Sequence, residues 1–277
     1  VAEYLGGRPL GGDITGAAFG RCGTVPPLTL APDAPAWSGW SPTTANTRFQ
    51  SAEHAKLTDQ SVPKLKLKWA VGFPDATSAW SQPTVAGGRL FVGSQNGTVY
   101  ALDAKSGCII WTYTAKSGVR NAPSVGARAN GAGYAVYFGD TGANVYALDA
   151  STGAQLWTMK VDEHPFARVT GSPTLDDGRL YVPVASLEET AASQPGYECC
   201  TFRGNVAALD VATGAVLWRT YTIPEAKPVG KNAQGTTLLA PSGVAVWSSP
   251  TPDHKRNLVY VVTGNTYSGA TSEPTSD

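Results

Sequence analysis

Apolar positions gather along this chain in short runs between turns rich in glycine, proline and aspartate, which is the pattern of strands rather than helices. The runs repeat. "ALDAKSGCIIW" (101–111), "ALDASTGAQLW" (147–157) and "ALDVATGAVLW" (208–218) are one phrase in three copies, with Asp103, Asp149 and Asp210 spaced 46 and then 61 residues apart. Each copy predicts an apolar strand and an Asp-x-x-[Ser/Thr]-Gly turn, whose side-chain oxygens cap backbone amides and whose glycine takes positive φ. A strand bearing tryptophan follows, closing a hairpin. A second phrase lies upstream of each hairpin: "WSQPTVAGGRLFVGS" from Trp80, "RNAPSVGARANGAGYAVYFGD" from Arg120, "TGSPTLDDGRLYVPV" from Thr170 and "WSSPTPDHKRNLVYVVTG" from Trp247. Each predicts a short strand after Pro-[Ser/Thr], a turn and a strongly apolar strand.

Two hairpins per unit make four strands. Units of roughly 40–60 residues with a tryptophan fixed in the outer strand predict propeller blades, a register that a β-sandwich would not repeat. The fold class expected is therefore an all-β, partial β-propeller with about three complete blades and half of a fourth. Because such a set cannot close a ring, the chain reads as part of a longer protein. The extra 15 residues of the third unit fall between its second and third strands and contain "GYECCTFRG" (196–204).

Residues 1–58 do not fit the blades and read as a leader, followed by the propeller unit over 59–277. Within the leader, "VAEYLGGR" reads as the last turns of an upstream helix and "APAWSGWSPTTANTRFQS" (34–51) as irregular; beyond it, "LKLKWAV" (65–71) is expected to form a strand.

Composition agrees: 31 glycines, 20 prolines and 15% charged residues suit strands and turns. Lysine plus arginine equals aspartate plus glutamate, 21 of each, which argues against nucleic acid or an anionic membrane as partner. No apolar run approaches the ~20 residues of a membrane span. An even count of four cysteines suits an oxidising compartment. Cys199 and Cys200 are adjacent, closer than an ordinary disulfide spans. They are open to three readings: a vicinal bridge, a thiol pair, or separate bridges to Cys22 and Cys108.

In a four-stranded blade the inter-blade loops and the loops between strands two and three leave on one face. That face is expected to collect Trp80, Arg120, His164, Arg168, Thr170 and Trp247, joined by Glu198, Cys199, Cys200 and Arg203 from the insertion, with the Asp-Gly hairpin turns opposite. Aromatic plates, guanidinium groups and sulfur on one rim suit a flat, polyanionic ligand. Other chemistry lacks a signature. There is no Gly-x-Ser-x-Gly elbow, Walker loop or Gly-x-Gly-x-x-Gly fingerprint, His54, His164 and His254 lack metal spacing, and no Cys-x-x-Cys-His haem site occurs.

From Trp111 to Asn265 the sequence resembles the pyrroloquinoline quinone (PQQ) dependent alcohol dehydrogenases, eight-bladed periplasmic propellers. The resemblance is carried by "RGNVAALDVATGAVLWRTYTIP" (203–224) and by "VWSSPTPDHKRNLVYVVTGN" (246–265), in which 18 positions separate Trp247 from Asn265. "VAEYLGGRPLG" (1–11) is similar to the end of a cytochrome c domain, and "YECCTFRG" resembles an insertion of the cytochrome-containing polyvinyl alcohol dehydrogenases. The resemblance implies PQQ and calcium as cofactors and haem c on an upstream domain. It also implies oxidation of secondary alcohols, of a polymer such as polyvinyl alcohol, with electrons passing to cytochrome c in the periplasm or outside the cell.

By the same resemblance Trp247 is the plate beneath PQQ, Arg120 meets its carboxylates, Thr170 offers a hydroxyl, and Cys199, Cys200 and Arg203 complete the cofactor contacts. Asn265 and Glu198 are the implied calcium ligands, although Glu198 stands five residues before the Arg-Gly pair rather than the family's four. The family's catalytic base, an aspartate, belongs to later blades and is expected beyond Asp277, so no residue of this chain is named as the base. Two positions depart from the family: methanol and ethanol dehydrogenases carry the cysteine pair near 118–119, and Ala245 replaces a threonine. The resemblance implies a vicinal Cys199–Cys200 disulfide over the cofactor, which would leave Cys22 and Cys108 as the second bridge. The competing expectation is a cofactor-free propeller of the same repeat type, acting as a scaffold or sensor.

Overall fold

The Pro-[Ser/Thr] phrases and Asp-Gly hairpins become strands at the expected places in the computed structural model, which describes residues 20–31, 34, 36–129 and 131–269. Two four-stranded antiparallel sheets come first. β1 (Thr84–Ala86), β2 (Arg89–Gly93), β3 (Thr98–Asp103) and β4 (Ile109–Thr114) pair in sequence order, as do β5 (Ser124–Ala127), β6 (Tyr134–Gly139), β7 (Asn144–Asp149) and β8 (Gln155–Lys160). In the third sheet β10 (Thr174–Asp176), β11 (Arg179–Ser186), β12 (Asn205–Asp210) and β13 (Val216–Tyr221) pair in order, while β9 (Ala167–Arg168) joins the far end of β11. The insertion between β11 and β12 holds a short helix, α2 (Glu188–Ala192), after α1 (Ala52–Ala55) in the leader. β16 (Thr251–Asp253) and β17 (Leu258–Tyr260) form the half-blade. The hairpin β14 (Lys227–Lys231) and β15 (Thr237–Ala240), which no repeat foreshadows, crosses the insertion.

The blades stack face to face. Along β6, Val136 and Phe138 point to a core shared with Phe91, Val99 and Trp111 of the first sheet, while Ala135 and Tyr137 point to one shared with Leu180, Val182 and Leu209 of the third. Both faces of the middle strands are buried, so they read as continuous apolar runs.

The tryptophans lock neighbouring blades. Trp69, Trp111 and Trp157 donate their indole N–H to the carbonyls of Ala104, Ala150 and Val211 at 3.3, 3.0 and 3.0 Å, each in the next hairpin turn. Their rings lie on Gly107, Gly153 and Gly214, where a Cβ would come within 2.8, 2.7 and 2.8 Å of the indole. These glycines hold φ of 78°, 76° and 76°, so each is required twice, for the turn and for the ring. Asp103, Asp149 and Asp210 set the same turns by accepting from the amides and hydroxyls of Ser106, Thr152 and Thr213. A second seam runs through the inner strands: the hydroxyls of Thr84, Ser124 and Thr174 donate to the carbonyls of Pro123, Pro173 and Pro250 in the following blade.

Residues 65–71 are not a strand. No strand of the described residues pairs with them, yet Trp69, Val71 and Phe73 cover the open face of the first sheet as a strand would. Two other expectations fall on positions outside the described residues: the helix end over 1–11, and Asp277, beyond which the catalytic base is expected. The described part of the leader is bound to the blades. Cys22 is joined to Cys108 in a disulfide, Arg89 donates to Pro26 O at 2.6 Å, Trp37 bridges Val85, and Asn46 donates to Pro250 O at 3.0 Å.

This packing predicts that Gly153→Ala is more damaging than Gly88→Ala. Both sites have φ above 70°, costing about 1–3 kcal/mol for a side chain. A Cβ at Gly88 meets nothing within 4 Å, whereas one at Gly153 strikes Trp111. Urea unfolding should show the larger loss of stability for Gly153→Ala; equal losses would mean that the indole seat carries no weight.

Candidate functional site: one rim of the blades

Trp80, Arg120, Thr170 and Trp247 stand at one position of the repeat, three residues before Pro83, Pro123, Pro173 and Pro250. The blade seams therefore carry them to one place. All four line a hollow of about 50 Å³, together with Gly171 and with Trp40 from the leader. Trp80 and Trp247 expose 58% and 63% of their surface, large for indoles, so neither is core filler. The Arg120 guanidinium lies 4.8 Å over the Trp80 ring. Trp247 is held from behind: a Cβ on Gly171 would come within 2.9 Å of its carbonyl, and one on Gly264 would lie 3.4 Å from its indole nitrogen.

Beneath these residues the loops are fixed by buried hydrogen bonds. Asn121 donates to the carbonyls of Gly139 and Val169 at 2.8 and 2.9 Å and accepts from Gly139 N, while Ser81 donates to Asn121 O at 2.8 Å. A second hollow of about 230 Å³ adjoins the first through Trp80 and Arg120 and adds Arg168, Gln95, Ser117 and Thr141.

Asn265 is exposed on the segment that pairs beside Trp247: Val244 donates to Asn265 O, Gly264 donates to Ala245 O, and Thr263 bridges Val246. Its side-chain nitrogen donates to Thr266 O at 2.7 Å. Glu198 is exposed, one residue before the sulfur pair. Among the described residues no three His, Cys, Asp or Glu side chains converge into a metal-binding group.

Cys199 and Cys200 form the vicinal disulfide, but both are fully buried. They lie in the core with Phe202, Tyr267 and Ala245, under β15, whose Leu239 exchanges backbone hydrogen bonds with the pair. The bridge thus backs the segment that carries Asn265 instead of opening onto either hollow. Arg203 also stands apart, its guanidinium 3.8 Å over the Tyr221 ring on the outer strand. Tyr221 lines a larger groove of about 750 Å³ between β13 and β17, of mixed polar and apolar lining, which takes in none of the expected site residues.

The residues that sequence reasoning missed are on α2. Glu188 is fully buried and accepts from the amides of Thr201 and Phe202 at 2.9 and 2.8 Å and from the Tyr197 hydroxyl at 3.0 Å. His164 joins them. Phe166 N donates to its Nδ1, so the proton sits on Nε2, which lies 3.1 Å from Thr201 Oγ1 and 3.6 Å from Glu188 Oε1. Burial alone would raise the Glu188 carboxyl, but the hydrogen bonds from His164, Thr201, Phe202 and Tyr197 outweigh it and hold the group below the usual carboxylate range. Burial and the facing Glu188 push Tyr197 up to about 12. On the exposed side of α2 lies Glu189. Burial first, then this carboxylate, push the Tyr267 phenol up.

Stacked four-stranded sheets joined by indole-on-glycine seams, with one rim of aromatic and basic side chains, define a β-propeller of the quinoprotein type. Residues 54–273 match the PQQ_2 family model, described as that of the outer membrane protein assembly factor BamB, and the chain belongs to that family. It is 42% identical to a polyvinyl alcohol dehydrogenase of a Pseudomonas species over 289 residues, covering 96% of this chain and 44% of that protein. With the polyvinyl alcohol dehydrogenase of Sphingopyxis sp. (strain 113P3) it shares 43% identity over 250 residues, 89% of this chain and 38% of the other. The chain thus spans less than half the length of either relative. Among solved structures, the quinohemoprotein alcohol dehydrogenase ADHIIG of Pseudomonas putida HK5 superposes with a TM-score of 0.66 at 24% identity, over 84% of this chain and 35% of that one, a likeness of fold.

The Glu188 network predicts a pH-dependent loop. Because its carboxyl is depressed in the folded state, its contribution is complete above the ordinary pKa of about 4.3 and is lost as pH falls through the lower folded value. Glu188→Gln should cost about 1.5–3 kcal/mol at pH 7, the worth of hydrogen bonds to a charged group. Thermal unfolding from pH 7 to 3 should show the gap between variant and wild type closing below about pH 4.3. A gap independent of pH would deny the buried charge this role.

Proposed function

We propose that the chain contributes the cofactor-holding blades of a PQQ- and calcium-dependent alcohol dehydrogenase, an eight-bladed propeller longer than this chain, with its catalytic base on a blade beyond Asp277. Its substrate is the secondary alcohol of polyvinyl alcohol or a similar hydrophilic polymer, and its electron acceptor is cytochrome c, with haem c on an upstream domain. The observation that carries the reading is the meeting of Trp80, Arg120, Thr170 and Trp247, one from each of four repeats, at a single hollow. The two relatives bearing the name polyvinyl alcohol dehydrogenase support the substrate class.

The donor set suits PQQ. When bound, PQQ supplies a two-electron oxidant whose reacting carbonyl calcium polarises as a Lewis acid. The exposed indole of Trp247 gives an aromatic seat, Thr170 a hydroxyl, and Arg120, stacked on Trp80, a guanidinium whose N–H groups point free of any carboxylate among the described residues. The fit to calcium is partial. Calcium takes 6–8 oxygens, whereas Asn265 and Glu198 each offer a single donor group, so the remaining oxygens would come from ligand and water. The Cys199–Cys200 bridge supports from below, by packing against Gly269 and the Tyr267 cluster. Arg203 has this role only if it leaves Tyr221.

The reading places the protein in the periplasm or outside the cell, where two disulfides persist. No helix among the described residues is long and apolar enough to cross a membrane. The rival reading, a cofactor-free propeller serving assembly, is favoured by the description of the family model alone. It does not call for two exposed indoles beside an arginine.

Mixed with PQQ and calcium, the protein is expected to retain quinone absorbance through gel filtration. Oxidation of polyvinyl alcohol by the longer protein should fall to background once chelator and dialysis remove both. Oxidation that continues undiminished overturns the reading, and failure to retain any quinone favours the scaffold.

A further inference from the structure

The larger of the two adjoining hollows holds an unused cation. Arg168 lies on β9, whose pairing with Ala185 and Ser186 of β11 fixes its backbone. Arg168 lines the hollow with Arg120, Trp80 and Thr141. Several other arginines are engaged: Arg128 pairs Asp149, Arg256 pairs Asp253, Arg89 donates to the carbonyls of Ala150, Ser151 and Pro26, and Arg219, whose Nε is likewise an orphan, donates through its other nitrogens to Val161 O and the Tyr221 hydroxyl. Neither Arg120 nor Arg168 is within salt-bridge reach of an acid among the described residues, and the Nε of Arg168 is buried without a hydrogen-bond partner. Burial first, and then the Arg120 charge, make Arg168 easier to deprotonate, with Glu189 opposing from a distance. Two like charges, one with a buried orphan donor, are costly unless an anion joins them.

The geometry points to Arg120 and Arg168 as a two-pronged clamp for the acid groups of one planar polycarboxylate, with the Trp80 ring as its stacking wall. This goes beyond the residues assigned from the family resemblance, where Arg168 has no role, and it rests on the cofactor reading for the identity of the ligand. The chemistry is that of the fork: each guanidinium presents paired N–H donors matched to a carboxylate, and an acid held between the two arginines relieves their repulsion. The indole adds contact to a flat π-system and holds Arg120 in place by cation–π attraction. A monocarboxylate must share its single charge between the prongs, whereas a ligand with two acid groups on one ring system can give one to each, so the clamp favours the polyacid.

The test measures binding to the 277-residue chain by tryptophan fluorescence and calorimetry, using PQQ and, as a probe without a quinone, benzene-1,2,4-tricarboxylate. The wild-type chain is expected to bind both, and benzoate far more weakly. Arg168→Gln should weaken both tri-acids by about ten-fold or more, the scale of a lost charge-assisted pair, with a shallower salt dependence, and Arg168→Lys should recover part of the loss. Thermal unfolding of each variant confirms that it folds, and Arg120→Gln provides a second variant on the other prong. If PQQ binds but Arg168→Gln changes nothing, the clamp is overturned and the cofactor reading stands. If the tricarboxylate binds through Arg168 while PQQ does not, the clamp stands and the cofactor reading falls. If neither ligand binds the wild-type chain, both fall.

Discussion

The indole of each outer-strand tryptophan, seated on the next blade's glycine and donating to the carbonyl beside it, sets the spacing of this molecule. A side chain in one sheet is hydrogen-bonded at 3.0 Å to the hairpin turn of the next for Trp111 and Trp157, while its ring excludes any side chain at the glycine. With the outer edges so joined and the inner strands tied from hydroxyl to proline carbonyl, adjacent sheets have little freedom to slide. Residues at one repeat position then fall side by side. A binding rim follows from the repeat itself, before any residue on it is specialised.

That is why the sequence is legible in some places and opaque in others. Strand order, hairpins and the membership of Trp80, Arg120, Thr170 and Trp247 could be read because every copy reports on the others. The stretch 65–71 was readable only in part: it has the alternation of a strand, and Trp69 makes the same indole contact, but pairing needs a neighbour that the described residues do not supply. The third-blade insertion has no copy for comparison. The hairpin of β14 and β15, the burial of Glu188 and the withdrawal of Arg203 onto Tyr221 all depend on contacts within that unique segment or across to it. Trp40 belongs to the same class, since only the leader's path over the inner strands brings it to the rim.

The insertion also shows how a polar network can order a loop that lacks repeat contacts. Glu188 satisfies two successive amides just past the sulfur pair, which would otherwise be buried donors without acceptors. Tyr197 and His164 occupy its remaining capacity, and Phe202, next to these amides, stacks on Tyr267. The disulfide and the carboxylate therefore act on the same few residues. Tyr267 in turn belongs to the segment that pairs beside Trp247, so order in the insertion reaches the rim through packing.

The electrostatics of the rim are the inverse of those on the opposite side of the blades. At the hairpin turns, aspartates are saturated by amides and hydroxyls that lower their pKa, as at Asp103 and Asp210, and so contribute order without reactivity. On the rim, Arg120 and Arg168 stand without an adjacent acid among the described residues, although the chain as a whole is balanced at 21 cationic and 21 anionic residues. A neutral protein has enough carboxylates to neutralise two arginines. Leaving them unpaired beside exposed indoles, on loops held by buried hydrogen bonds, costs stability that packing elsewhere must offset, and the cost is regained only when an anion is supplied from outside.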